Sequence, residues 1–148
     1  MSDAAPLSAD QQRSLRCLAD MMIPASSKHR VPGAGDDAIF ADILRSFGAD
    51  AHHVRAVLHT LDALSGGVFA DLDPARRAAV AAQLRERGGT ALTMLSRIVL
   101  LCYYRDDRVM RSLDMELRPP FPQGFEVEQG DWAVLDPVRK RAPFYRPV

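Results

Sequence analysis

The sequence predicts an all-α protein: a compact bundle of five or six helices followed by an extended C-terminal arm rich in proline and aromatic residues. Three observations predict it. Apolar residues recur at helical spacing through the first part of the chain. Each of those runs is bracketed by residues that start and stop helices. After about Met115 the periodicity ends, and residues 117–148 hold six of the ten prolines and five of the ten aromatics. The expected division is a helical domain over residues 1–116 and an arm over 117–148.

Leu7-Ser8-Ala9-Asp10-Gln11 reads as a helix start, with Ser8 as cap, Gln11 as its reciprocal partner and Leu7 in the staple position. Leu15, Leu18, Ala19 and Met22 then form one apolar stripe, and Pro24 ends the helix near Ile23. Residues 25–35 read as a loop carrying Lys28, His29 and Arg30. Asp36 or Asp37 caps a second helix, striped by Ile39, Phe40, Ile43, Leu44 and Phe47 and stopped at Gly48. A third begins near Asp50, with Val54, Val57, Leu58, Leu61 and Leu64 on one face, and ends at Gly66-Gly67. Asp73-Pro74 pairs a capping side chain with proline at the first helical position. The alanine-rich stretch that follows favours helix up to Gly88-Gly89. From Thr90 to Tyr104 the chain is apolar on nearly every side, the pattern of a central, buried helix. Asp106 caps a last helix that turns Val109, Met110 and Leu113 inward.

Composition limits the function classes. Nineteen Lys and Arg balance nineteen Asp and Glu, which argues against binding nucleic acid or anionic lipid by bulk charge. Two cysteines exclude a disulfide scaffold and a four-cysteine zinc site. No apolar run is long enough to span a bilayer. Met1–Pro6 shows neither a basic n-region nor an apolar h-region, so the sequence as it stands reads as that of a cytoplasmic protein.

Candidate chemistry is sparse. His52, His53 and His59 fall on the third helix without the i, i+4 pairing that metal ligands prefer, and no HExxH occurs. Cys17 and Cys102 lie on different helices and read as small buried thiols. There is no GxSxG, Walker loop or dinucleotide fingerprint. The densest polar run, Tyr103-Tyr104-Arg105-Asp106-Asp107-Arg108, lacks a nucleophile–base–orienter set and reads better as a helix end, a cap and intramolecular ion pairs. No catalytic, cofactor-binding or metal-binding residue is therefore assigned.

The arm is different. Disordered tails are poor in aromatics, whereas this one carries Phe121, Phe125, Trp132, Phe144 and Tyr145, with Arg118 at its start. These residue types anchor interfaces. They are the candidate partner-binding residues, and the arm is expected to pack on the bundle, on a partner, or on both along different stretches.

Two stretches carry a resemblance. The first runs from Leu7-Ser8-Ala9-Asp10-Gln11-Gln12 to Leu18-Ala19-Asp20-Met21-Met22-Ile23-Pro24. The second joins Cys102-Tyr103-Tyr104-Arg105-Asp106-Asp107-Arg108-Val109-Met110 and Leu113-Asp114-Met115 to Pro119-Pro120-Phe121-Pro122-Gln123-Gly124-Phe125. Together they resemble the gluconate 2-dehydrogenase subunit 3 family, over residues 7–125. The resemblance implies a small, non-catalytic subunit of a sugar or polyol dehydrogenase. Its large partner is a glucose–methanol–choline-class flavoprotein that carries FAD, often with a multihaem cytochrome c as third subunit. Family members commonly begin with a twin-arginine signal that this sequence lacks, so the alternative to a cytoplasmic location is a periplasmic one, reached by export with a partner or after loss of a twin-arginine signal. The family's Leu-Gly-Tyr run is replaced here by Leu113-Asp114-Met115. Two other readings stay open: a free-standing helical domain that self-associates through the arm, and a small-ligand binder built on Tyr103, Tyr104, Arg105 and the histidine helix.

Overall fold

A computed structural model describes residues 6–117 and 128–142, and the chain divides into two units, residues 1–117 and 118–148. The described residues of the first unit form six α-helices: α1 (Ala9–Met22), α2 (Asp37–Arg45), α3 (Ala51–Ser65), α4 (Pro74–Arg87), α5 (Thr90–Tyr104) and α6 (Asp107–Ser112). The described residues form no strand, and the all-α expectation holds. None of the described helices is long and apolar enough to cross a membrane.

The local signals act as expected at most ends. The Gln11 N–H donates to Ser8 Oγ at 3.2 Å and the Ser8 N–H to Gln11 Oε1 at 3.0 Å, which closes the capping box of α1. Asp36 caps α2, Asp73 caps α4 ahead of Pro74, and Asp106 caps α6. Gly66 ends α3 at φ 67°, a left-handed conformation that costs other residues more. α2 stops two residues short of Phe47, because a 3₁₀ turn over Gly48–Asp50 leads directly into α3.

The centre of the bundle is α3, not α5. α3 packs against α4, α5 and α1, and buries Val54, Val57, Leu58 and Leu61. α5 buries Leu95, Ile98, Val99, Cys102 and Tyr103 against α3 and α2. Its opposite side stays open: Leu100 is 45% exposed, Leu101 56% and Tyr104 52%. The expectation of a helix buried all round is corrected here. An apolar sequence states what a helix prefers to bury, and the neighbours decide which side is covered. α6 shows the same departure on a smaller scale, since Val109 is buried but Leu113 is exposed.

Two loops complete the core. The turn Phe69–Asp71 places Phe69 fully out of solvent beside α1, and Arg13 on α1 pairs with Asp71 at 2.7 Å. The loop after α1 doubles back through the paired backbones of Ser26 and Val31. It returns as Gly33-Ala34-Gly35, where the Gly35 N–H donates to Asp20 Oδ1 at 3.3 Å and Ala34 is fully buried. A side chain at Gly33 would meet the Asp20 carboxylate and the Ala25 nitrogen, the latter at 2.9 Å.

In the second unit, Trp132–Leu135 forms a 3₁₀ turn that continues into α7 (Asp136–Arg139). An extended arm was expected along this stretch. Asp131 caps the 3₁₀ turn by accepting the Ala133 N–H at 2.9 Å, and α7 continues from that turn with no side-chain cap of its own and with Pro137 in its first turn, where the missing N–H costs nothing. The proline run 119–122 lies outside the described residues.

Candidate functional site

The conspicuous polar run resolves into a clasp. Arg105 Nε donates to Asp42 Oδ2 at 2.5 Å, and its Nη2 donates to Ser46 Oγ at 2.5 Å and to Cys102 Sγ at 3.4 Å. Arg108 grips two carboxylates. Nη2 and Nη1 reach Asp36 at 2.6 and 3.2 Å, while Nε and Nη2 reach Asp106 at 3.0 Å each. These forked pairs tie the α5–α6 corner to the start and middle of α2. Arg108 holds the Asp36 and Asp106 carboxyls below the usual carboxylate range, and Arg105 does the same for Asp42. Burial pushes the Cys102 thiol up, so it stays protonated. Burial also raises Tyr103, whose ring meets that of Tyr104 edge-on at 5.3 Å. Arg105, Asp106 and Arg108 of the polar run are thus committed to the clasp, while Asp107 pairs with Arg111 at 3.5 Å on the surface.

The remaining candidates are dispersed. A groove of about 390 Å³ lies beside the clasp, lined by Ile39, Asp42, Arg45, Cys102 and Arg105 among others, with neither Tyr103, Tyr104 nor a histidine in its wall. The His52 and His53 rings lie with centroids 3.9 Å apart and tilted by 40°, and His52 Nδ1 lies 2.9 Å from the Ala49 carbonyl. Among the described residues no group of three or more His, Cys, Asp or Glu could hold a metal ion. Cys17 and Cys102 are both free thiols.

The apolar surfaces are more telling. A groove of about 520 Å³ opens between the end of α1, α4 and α5. Met21, Met22 and Ile23 form one wall, Ala78, Ala81 and Ala82 the second, Leu92, Val99 and Leu100 the third. The sequence offered no signal for it, because it depends on how three helices diverge. In the second unit no described residue is buried. Trp132, predicted as an interface anchor, is 62% exposed, and Val134, Leu135 and Val138 are exposed with it. Arg118, Phe121, Phe125, Phe144 and Tyr145, the other predicted anchors, lie outside the described residues.

These features define an all-α protein with apolar surface left open on each unit. No protein-family model, curated protein or solved structure matches the chain.

Proposed function

We propose that this chain is a non-catalytic accessory subunit that binds and stabilises an FAD-dependent sugar or polyol dehydrogenase of the glucose–methanol–choline class. The flavin and the chemistry belong to the partner, with a cytochrome c subunit as a further member of the complex. One observation supports the reading above others. The polar groups dense enough to suggest chemistry are spent on holding helices together, whereas large apolar side chains stand in water on both units. Exposed apolar patches of this kind mark protein contacts.

The physical action is mass-action stabilisation. A chain that binds only the folded flavoprotein raises its stability by about 2.7 kcal/mol when present at about a hundred times its dissociation constant. A standard interface of about 800 Å² on each partner suffices. In the test, a tag on this chain is used to recover the flavoprotein encoded nearest to its gene after co-expression. Recovery of a flavin-loaded complex is expected. A flavoprotein that is equally active and stable without this chain contradicts the proposal.

Self-association through the arm is the second reading, favoured by the exposure of Trp132, Val134 and Val138. It expects a dimer by light scattering that Trp132→Glu converts to a monomer.

A further inference from the structure

The groove between α1, α4 and α5 has a chemistry that selects its occupant. Ser96 and Arg85 are the polar side chains in its wall. The Ser96 hydroxyl donates to the Leu92 carbonyl at 2.8 Å and is spent. Arg85 forms no ion pair among the described residues. It follows Ala78, Ala81 and Ala82 at helical spacing, so α4 presents a smooth alanine face with a cation at its end. Arg97 stands on the open side of α5, where Leu100, Leu101 and Tyr104 follow at i+3, i+4 and i+7. Residues 74–104 contain five arginines and a single acid, Glu86, within a chain of zero formal charge.

We infer that this groove seats a short apolar helix of the partner protein, one that carries an Asp or Glu to meet Arg85. The inference rests on the accessory-subunit reading and deepens it by naming a docking surface on the helical unit, separate from the arm. The alanines of α4 let a helix approach closely, and ridges of larger side chains on the incoming helix fit between Met21 and Leu100. From Ala78 to Arg85 the wall runs about 10 Å, enough for about two helical turns.

Other occupants fit less well. A small polar ligand needs several convergent hydrogen-bonding groups, and only Arg85 remains to provide them. A second copy docked groove on groove would bring two Arg85 guanidinia into a contact whose walls hold no carboxylate to meet them. A lipid surface attracts the arginines, but Met22, Leu92 and Val99 are recessed in a concavity that a bilayer does not enter.

The test uses the full-length chain and the flavoprotein subunit. Binding is titrated for the wild type and for Leu100→Glu, Arg85→Glu and Leu113→Glu, the last an exposed leucine outside the groove. Leu100→Glu is expected to weaken binding by about tenfold or more, with unchanged circular dichroism. Arg85→Glu weakens it severalfold in low salt, and the loss shrinks as salt screens the pair. Leu113→Glu binds as wild type. Short peptides tiling the partner, retained by wild type and released by Leu100→Glu, are expected to be apolar with at least one acid. Wild-type affinity in the Leu100→Glu chain, or retained peptides that are basic, overturns the groove as docking site and leaves the accessory reading standing. Failure of the wild-type chain to bind any flavoprotein overturns both. If Leu100→Glu instead abolishes a dimer seen by light scattering, or binding to phosphatidylserine vesicles, the occupant is a second copy or a lipid surface and the proposal is wrong.

Discussion

The two sides of α5 behave as different materials. Toward α2 and α3 it is closed: Leu95 is fully buried, Cys102 nearly so, and at its end Arg105 and Arg108 lock four hydrogen-bonding groups of α2 and the α6 cap. Elsewhere it is open: Leu100 lines the α1–α4 groove, and Leu100, Leu101 and Tyr104 all stand in water. A run of charged and aromatic residues that looks like chemistry is here the fastening of the fold. A run of plain aliphatic residues that looks like core is the surface left for something else.

The sharpest way to break that comparison is to truncate one leucine on each side. Leu95→Ala should cost about 2–5 kcal/mol, as for buried leucines generally, and Leu101→Ala within about 0.5 kcal/mol. Urea denaturation reads both. Equal losses would mean that the open side is covered by this chain itself. Phe69→Ala extends the series, at about 3–5 kcal/mol, because Phe69 is fully buried although it comes from a turn.

Gly33→Ala should cost about 1–3 kcal/mol, since the new methyl group presses on the Asp20 carboxylate and the Ala25 nitrogen. Asp20→Ala in the same chain relieves the first contact and should restore part of the loss, measured by thermal melting.

Much of the fold could be read from the sequence because its signals are local. Ser8 and Gln11, Asp73 and Pro74, and Gly66 each act within one helical turn, so their spacing alone identifies them. Phe69 was not legible: it sits in a turn between a glycine pair and Asp73, where no periodicity marks it as core. The helix end, the cap at Asp106 and the ion pairing of Arg105 and Arg108 were legible, but not the pairing partners, since Arg105 and Asp42 are 63 residues apart. The groove was least legible of all, because it is space between helices rather than a property of any one of them. In the second unit the prolines suggested extended chain and obscured the 3₁₀ turn that Asp131 caps and that runs on into α7.

Acid should loosen the closed side first. The carboxyls of Asp36, Asp42 and Asp106 titrate below their ordinary value of 3.8 in the folded chain. Their contribution is therefore complete above about pH 4 and is lost as pH falls through the lower, folded values. Arg108→Met should remove about 1 kcal/mol at neutral pH, in keeping with partly exposed ion pairs, and should flatten the acid limb of the stability curve. Chemical denaturation from pH 7 to 3 checks both. The smallest effect concerns the thiols: Cys17, partly exposed, should react with maleimide well before Cys102, which burial keeps protonated and out of reach.

The most direct measurement is the thermal midpoint of the flavoprotein dehydrogenase titrated with this chain. If the chain works by docking, the midpoint rises with its concentration, and the rise is lost with Leu100→Glu. A midpoint that stays fixed at every concentration of wild-type chain contradicts the account.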